Sequence, residues 1–174
     1  SYETKKSIVT PLYNTPTDFF RDLLFFMHEQ TYSNWELCLA DGSPEPLTQI
    51  QKMIEKEPRV KYVFLGKNKG ISENTNEAIK LATGDYIGLL DHDDYLSKDC
   101  LFEVVKAINE NRNIEFIYTD EDKASGVGEE RYDAYFKPDF AIDTLRSQNY
   151  ICHFSVFKKN VMDKLKGFRK DFDG

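Results

Sequence analysis

Much that would name a chemistry outright is missing from this sequence. The chain has only three cysteines, Cys38, Cys100 and Cys152, and no C-x-x-C pair. An odd, scattered set of this kind reads as buried thiols in a reducing compartment, so cytoplasmic residence is the default expectation. Positive charge is in deficit, with 23 Lys and Arg against 30 Asp and Glu, a net charge of -7 and a pI near 5.0. That balance excludes nucleic-acid binding through a basic surface. The nine glycines form neither G-x-x-x-x-G-K-[ST] nor G-x-G-x-x-G, which removes support for nucleoside triphosphate hydrolysis and for nicotinamide binding. No Ser-His-Asp arrangement is legible. No apolar run approaches a membrane span, no signal peptide opens the sequence, and there is no internal repeat or low-complexity segment. The chain begins at Ser1 rather than Met, from which a processed or excised segment is expected.

What is present is a globular composition. Hydrophobic residues make up 40% and aromatic residues 14% of 174 positions, enough for one domain with a sizeable core and too many for a disordered chain. Ser7–Thr10 is a short β-branched strand ended by Pro11 and the turn-prone Tyr13-Asn14. Thr15-Pro16-Thr17-Asp18 reads as a capping box with Pro at the first helical position. Phe19, Phe20, Leu23, Leu24 and Met27 then recur at helical spacing, and Phe25 and Phe26 widen the apolar face, so a helix covered on more than one side is expected. Trp35–Ala40 is a second strand, 47–57 a helix, Val60–Leu65 a third strand and Asn68-Lys69-Gly70 a turn. A helix bearing Ile71, Ala78, Ile79 and Ala82 follows, with Gly84 as its C-terminal stop. After the next strand, Ser97 is the expected cap of a helix carrying Leu101, Val104, Val105 and Ile108. Glu115–Thr119 and Tyr150–Phe157 read as further strands, and 120–134 as a mobile loop. Strand and helix alternate, which predicts an α/β fold with right-handed crossovers and a mainly parallel central sheet.

The richest stretch is Thr83–Asp94, an apolar strand that delivers Asp91, Asp93 and Asp94 to its exit. Ligands of parallel sheets bind beyond the carboxyl ends of the strands. Acidic residues there offer hard oxygen ligands to Mg²⁺ or Mn²⁺. A solvated Asp-rich turn ahead of the next helix is the alternative reading. Two carboxylates facing a diphosphate at ~5 Å repel it by roughly 3 kcal/mol each at an effective dielectric near 20, so a phosphate ligand requires a divalent cation between them. Pro11–Asn14 and Asp41-Gly42-Ser43 stand at other strand exits and converge on the same edge. Asp41 can accept from a base N–H or simply build a turn with Gly42; Tyr13 can stack on a base or fill a rim. His28 falls on a helix, His153 reads as a hydrogen-bonded core residue, and Asp120-Glu121-Asp122 as either a metal or acceptor contact or a solvated run.

The ordered pieces Ser7–Asn14, Gln30–Leu37, Ala40–Ser43, Asn68–Ser72, Ala82–Ile87 and Leu90–Asp94 together resemble a family 2 glycosyltransferase of the GT-A type. Phe116–Lys123, Tyr135–Phe140 and Ser147–His153 resemble the bacterial polysaccharide-assembly members, many of them rhamnosyltransferases and others hexosyltransferases. The resemblance implies a Rossmann-like αβα sandwich binding a nucleoside-diphosphate-sugar donor. It implies that Pro11, Leu12, Tyr13, Asn14, Asp41, Asn68, Gly70, Asp91 and His92 line the nucleotide site, with Asp41 reading the base. Asp93 would be the main metal ligand and Asp91 would serve ribose and metal. An inverting displacement onto a glycan, glycoprotein or lipid-linked acceptor is implied, with the general base expected beyond Gly174 and peripheral contact with the inner membrane face through a lipid-linked acceptor. Asn74-Thr75-Asn76 departs from an Arg-Asn pair common in similar proteins. A non-catalytic nucleotide-binding or assembly module of the same fold, and a homo-oligomer, remain open; a nucleotidyltransferase is disfavoured because Pro11–Asn14 is no glycine-rich triphosphate loop.

Overall fold

The computed structural model describes residues 4–113, 116–120, 131–135 and 154–160. The elements run β1 (Lys6–Leu12), α1 (Thr17–His28), β2 (Trp35–Asp41), α2 (Thr48–Ile54), β3 (Val60–Phe64), α3 (Ile71–Ile79), β4 (Tyr86–Leu89), α4 (Cys100–Glu110), β5 (Phe116–Asp120), β6 (Arg131–Tyr135) and β7 (Phe154–Lys158). They build one seven-stranded sheet in the order β3-β2-β1-β4-β7-β5-β6.

The two halves of the sheet differ in how their strands pair. β3, β2, β1 and β4 are mutually parallel, as the alternation of strand and helix predicts. β7 then pairs antiparallel with β4, β5 with β7, and β6 with β5. β5 follows α4 and runs in the same direction as β4; its pairing is antiparallel because the reversed strand β7 lies between them. The order 3-2-1-4 means that the chain winds outward from β1 in one direction and resumes on its other side with β4. The strand ends of β1 and β4 therefore flank a topological switch point, the place where such sheets open a crevice.

Period-two alternation sends the strand residues to two cores. Ile8 and Leu12 of β1, Leu37 and Leu39 of β2, and Tyr86 of β4 face a large cluster completed by Phe20, Leu23 and Met27 of α1, Ile50 of α2 and Leu101, Val104 and Ile108 of α4. Val9, Cys38, Ala40 and Ile87 face the other side, where Ala78 and Ile79 of α3 cover them with Ala82 and Phe157. With helices on both faces, β1 and β2 are buried almost end to end, which is why they read as continuous apolar runs.

Several local expectations are corrected. Pro16 is the N-cap of α1 rather than its first helical residue, and no side chain caps that end; the Thr15 hydroxyl bonds elsewhere. Of the α1 phenylalanines only Phe20 is fully buried, while Phe19 and Phe25 are 42% and 63% exposed, so α1 buries a single stripe. α3 ends at Ile79 with Lys80 as C-cap, so Gly84 does not stop it. Gly84 is glycine because an added Cβ would strike the Lys5 carbonyl oxygen and lie 2.7 Å from Ser7 Oγ. Asp99, not Ser97, occupies the N-cap position of α4. Residues 131–134 belong to strand β6 rather than to a loop, and 121–130 lie outside the described residues, as do 150–153 of the last expected strand. No helix among the described residues is long and apolar enough to cross a membrane.

Candidate functional site

A cleft of about 340 Å³ opens at the switch point, lined by Pro11, Leu12 and Tyr13 from the exit of β1, by Asn68, Ile71 and Asn74 around the start of α3, and by Asp91, His92 and Asp93 beyond β4. Tyr13 is half exposed at its rim. Asn14, the next residue, has a left-handed φ of 45° and donates its N–H to Ser43 Oγ at 2.8 Å, so the β1 exit turns sharply against the β2 exit.

Asp91, Asp93 and Asp94 each place a carboxylate oxygen within 4.8 Å of the others, Asp91 and Asp93 exposed and Asp94 buried. The loop is pinned by the Asp94 N–H, which donates to the Asp91 carbonyl at 3.1 Å. At this spacing each carboxylate pair repels by about 3 kcal/mol at an effective dielectric near 20, less where water screens it. The donor set is all hard oxygen, which fits Mg²⁺ or Mn²⁺ with coordination positions to spare for phosphate. Between two of these aspartates, His92 turns Nδ1 to Thr15 Oγ1 at 2.8 Å, and its ring meets Phe19 edge-on at 6.1 Å.

The opposite wall is an asparagine pair. Asn74 donates Nδ2–H to Asn68 Oδ1 at 2.9 Å and accepts from Lys69 N–H on Oδ1 at 3.1 Å, while Asn68 Oδ1 also accepts from Gly70 N–H at 3.0 Å. These bonds fix the Asn68 amide with its oxygen inward. Gly70, at φ 91°, makes the turn into α3 in a conformation that favours glycine, and a Cβ on Gly42 would sit 2.7 Å from Asn74 Nδ2, so a side chain there would displace the Asn74 amide.

Seven of the residues expected at the nucleotide and metal site thus share one hollow: Pro11, Leu12, Tyr13, Asn68, Asp91, His92 and Asp93. Asn14, Asp41 and Gly70 are not among its lining residues. Asp41 differs most from expectation. It is fully buried, and its carboxylate accepts from Ser43 N–H at 2.9 Å, from Leu47 N–H at 3.2 Å and from the Tyr62 hydroxyl. A carboxylate so enclosed shapes the 42–47 loop. Burial, then the bond to Asp41, pushes the Tyr62 phenol above its ordinary range.

Ile71, Asn74 and the hydroxyl of Thr15 were not anticipated. Asn74 was detectable in principle, because it lies one helical turn before Ala78 on the buried stripe of α3, where an apolar residue is expected.

The sequence pattern described as Glycosyl transferase family 2 matches residues 7–166. The chain belongs to glycosyl transferase family 2. Among relatives of this family 2 domain, the uncharacterized protein y4gI of Sinorhizobium fredii is 41% identical over 171 residues, 97% of this chain and 19% of that protein. The O-antigen biosynthesis protein RfbC of Myxococcus xanthus is 32% identical over 171 residues, 97% of this chain and 13% of that protein. The chain therefore spans a fifth or less of these two curated relatives, at 19% and 13%. In fold, the family 2 domain is similar to Staphylococcus aureus TarS 1–349 solved with UDP, at a TM-score of 0.72, 20% identity, 98% of this chain and 52% of that one. It is equally similar to the mannosyltransferase PcManGT of Pyrobaculum calidifontis solved with GDP-Man and Mn²⁺, at 0.72, 20% identity, 98% of this chain and 49% of that one. The architecture is the GT-A fold.

Proposed function

We propose that this family 2 domain is the donor-binding part of an inverting, metal-assisted glycosyltransferase. It binds a nucleoside-diphosphate-sugar in the switch-point cleft, for transfer to a glycan, glycoprotein or lipid-linked acceptor. The observation that carries the reading is that Asp91 and Asp93, with the Asp94 carboxylate within 4.8 Å of both, line the same hollow as Tyr13, Asn68 and Asn74. The names and bound ligands of similar proteins support the same direction: O-antigen and chondroitin synthesis among the relatives, UDP or GDP-Man with Mn²⁺ in two of the solved neighbours.

Asp93 and Asp91, backed by Asp94, would hold Mg²⁺ or Mn²⁺. Such an ion supplies charge neutralisation to a departing nucleoside diphosphate. Tyr13 offers a ring face for a base at the rim, Asn68 an amide oriented by Asn74 and Gly70, and Pro11 and Leu12 an apolar floor. In this reading the described residues bind the donor, and none of them is given the role of the base that deprotonates the acceptor.

Titration calorimetry with UDP and GDP tests the reading. Binding is expected with Mn²⁺ or Mg²⁺ and at least tenfold weaker in chelator, in line with about 1.4 kcal/mol or more of charge compensation. Asp93→Ala should erase the difference between metal and chelator while leaving the far-ultraviolet circular dichroism unchanged. Equal affinity with and without metal, or none in either, overturns it.

A further inference from the structure

We propose that the Thr15 hydroxyl is a positioning group for the cleft, locking His92 in the tautomer whose Nε2 carries the proton. The phosphate-binding wall thereby gains a fixed N–H donor. The consequence for ligand binding rests on the nucleotide reading above; the tautomer itself does not.

Thr15 is 4% exposed, and its oxygen has two neighbours: Tyr13 N at 3.3 Å and His92 Nδ1 at 2.8 Å. A hydroxyl has one proton to give and two lone pairs to accept with. The Tyr13 amide can only donate, so it takes a lone pair. Among the described residues, His92 Nδ1 is then the one acceptor in reach of the hydroxyl proton. Donating to it avoids the cost of a buried hydroxyl proton with no partner. Nδ1 therefore accepts, Nε2 carries the hydrogen, and Nε2 is the ring atom left for a ligand in the cleft that His92 lines. Phe19, edge-on at 6.1 Å and 71°, restricts the swing of the ring.

A second observation points the same way. Thr15 stands just ahead of α1, where its hydroxyl is chemically suited to capping, yet α1 has no side-chain cap. The hydroxyl is spent instead on a bond to a residue 77 positions away. That bond clasps the β1 exit to the β4 exit across the switch point, and so holds Tyr13 and His92 in one frame. The rest of the acidic loop offers carboxylate acceptors, whereas phosphate oxygens need donors.

The test compares the 174-residue chain with Thr15→Val and Thr15→Ser. Long-range ¹H–¹⁵N correlation of the His92 ring, recorded without metal, reads the tautomer; calorimetry with UDP and GDP in Mn²⁺ reads binding. The unsubstituted chain and Thr15→Ser should show protonated Nε2 and bare Nδ1. Thr15→Val should show mixed tautomers and bind about three- to tenfold more weakly, the scale of one hydrogen bond. If Thr15→Val does not fold, Thr15→Ala carries the same readouts. Protonated Nδ1 in the unsubstituted chain, or an unchanged tautomer and affinity in Thr15→Val, overturns the inference. A correct tautomer without nucleotide binding by the unsubstituted chain overturns the functional reading alone.

Discussion

Glu36 stands near the start of β2, at the end of the sheet remote from the cleft, and is 2% exposed. Its carboxylate accepts from Ser7 Oγ at 2.6 Å, from the Thr83 N–H and hydroxyl at 2.5 and 3.0 Å, and from Lys61 Nζ at 2.9 Å. Burial pulls its pKa upward, but the bonds from Ser7, Thr83 and Lys61 outweigh burial and hold it down to about 2. A group with a depressed folded-state pKa stabilises above its unfolded value and loses that contribution as pH falls. For Glu36 the window runs from about 4.5 down to about 2. The contribution is roughly 3 kcal/mol at 1.36 kcal/mol per unit. Glu36→Gln should lower stability at pH 7 by about 3 kcal/mol, because an amide nitrogen would then face the Lys61 ammonium. Its denaturation midpoint should also vary less between pH 5 and 2 than that of the unsubstituted chain, as urea titrations at several pH values will read. Nearby, burial and then Glu36 push the Cys38 thiol up to about 12, which makes it an inert packing residue, in keeping with a buried cysteine outside any redox pair.

At the level of elements, α1 shows how far an aromatic run can be read. Phe20, Leu23 and Met27 fall on one stripe and are fully buried; Phe19 and Phe25 carry the same chemistry but point outward. Composition announces an amphipathic helix, yet with phenylalanine at 19, 20, 25 and 26 no pattern of apolar against polar marks the inner face. Phe20→Ala should cost about 3–5 kcal/mol and Phe25→Ala less than about 0.5, measured by chemical denaturation. The N-terminus of α1 was misread for a related reason. A capping box is a local motif, and the Thr15 hydroxyl is claimed by His92, a partner that local sequence cannot reveal. Gly84 was likewise visible as a glycine near a helix end, whereas the demand on it comes from Lys5, just ahead of β1, and from Ser7 within it. Gly84→Ala should therefore destabilise by about 1–3 kcal/mol by overpacking against backbone, where a C-cap substitution at negative φ would be nearly neutral.

For the molecule as a whole, the parallel half of the sheet and the metal-type cluster were legible because each is written locally: buried strands as apolar runs, the cluster as carboxylates one position apart at a strand exit. The pairing beyond β4 was not, since the residues of β6 read as loop and the insertion of a reversed β7 between β4 and β5 depends on partners distant in sequence. The cleft's far wall, Ile71 and Asn74, depends on where α3 settles against β1 and β2, which no spacing declares. The cleft joins segments from three separate strand exits around an acidic mouth, in a chain of net charge -7. Nucleotide and cation should therefore stabilise it jointly rather than separately. A ligand bound only by the folded state adds about 2.7 kcal/mol at a concentration one hundred times its dissociation constant. For a domain of this size that corresponds to a rise of roughly 5–10 °C in thermal midpoint. UDP or GDP with Mn²⁺ should produce a shift of that order, while nucleotide alone should give under half of it, because its phosphates then face Asp91 and Asp93 uncompensated. Differential scanning fluorimetry of the four combinations reads the coupling directly. In Asp93→Ala the excess over the separate shifts should vanish, and an additive response in the unsubstituted chain would mean that cation and nucleotide do not share this cleft.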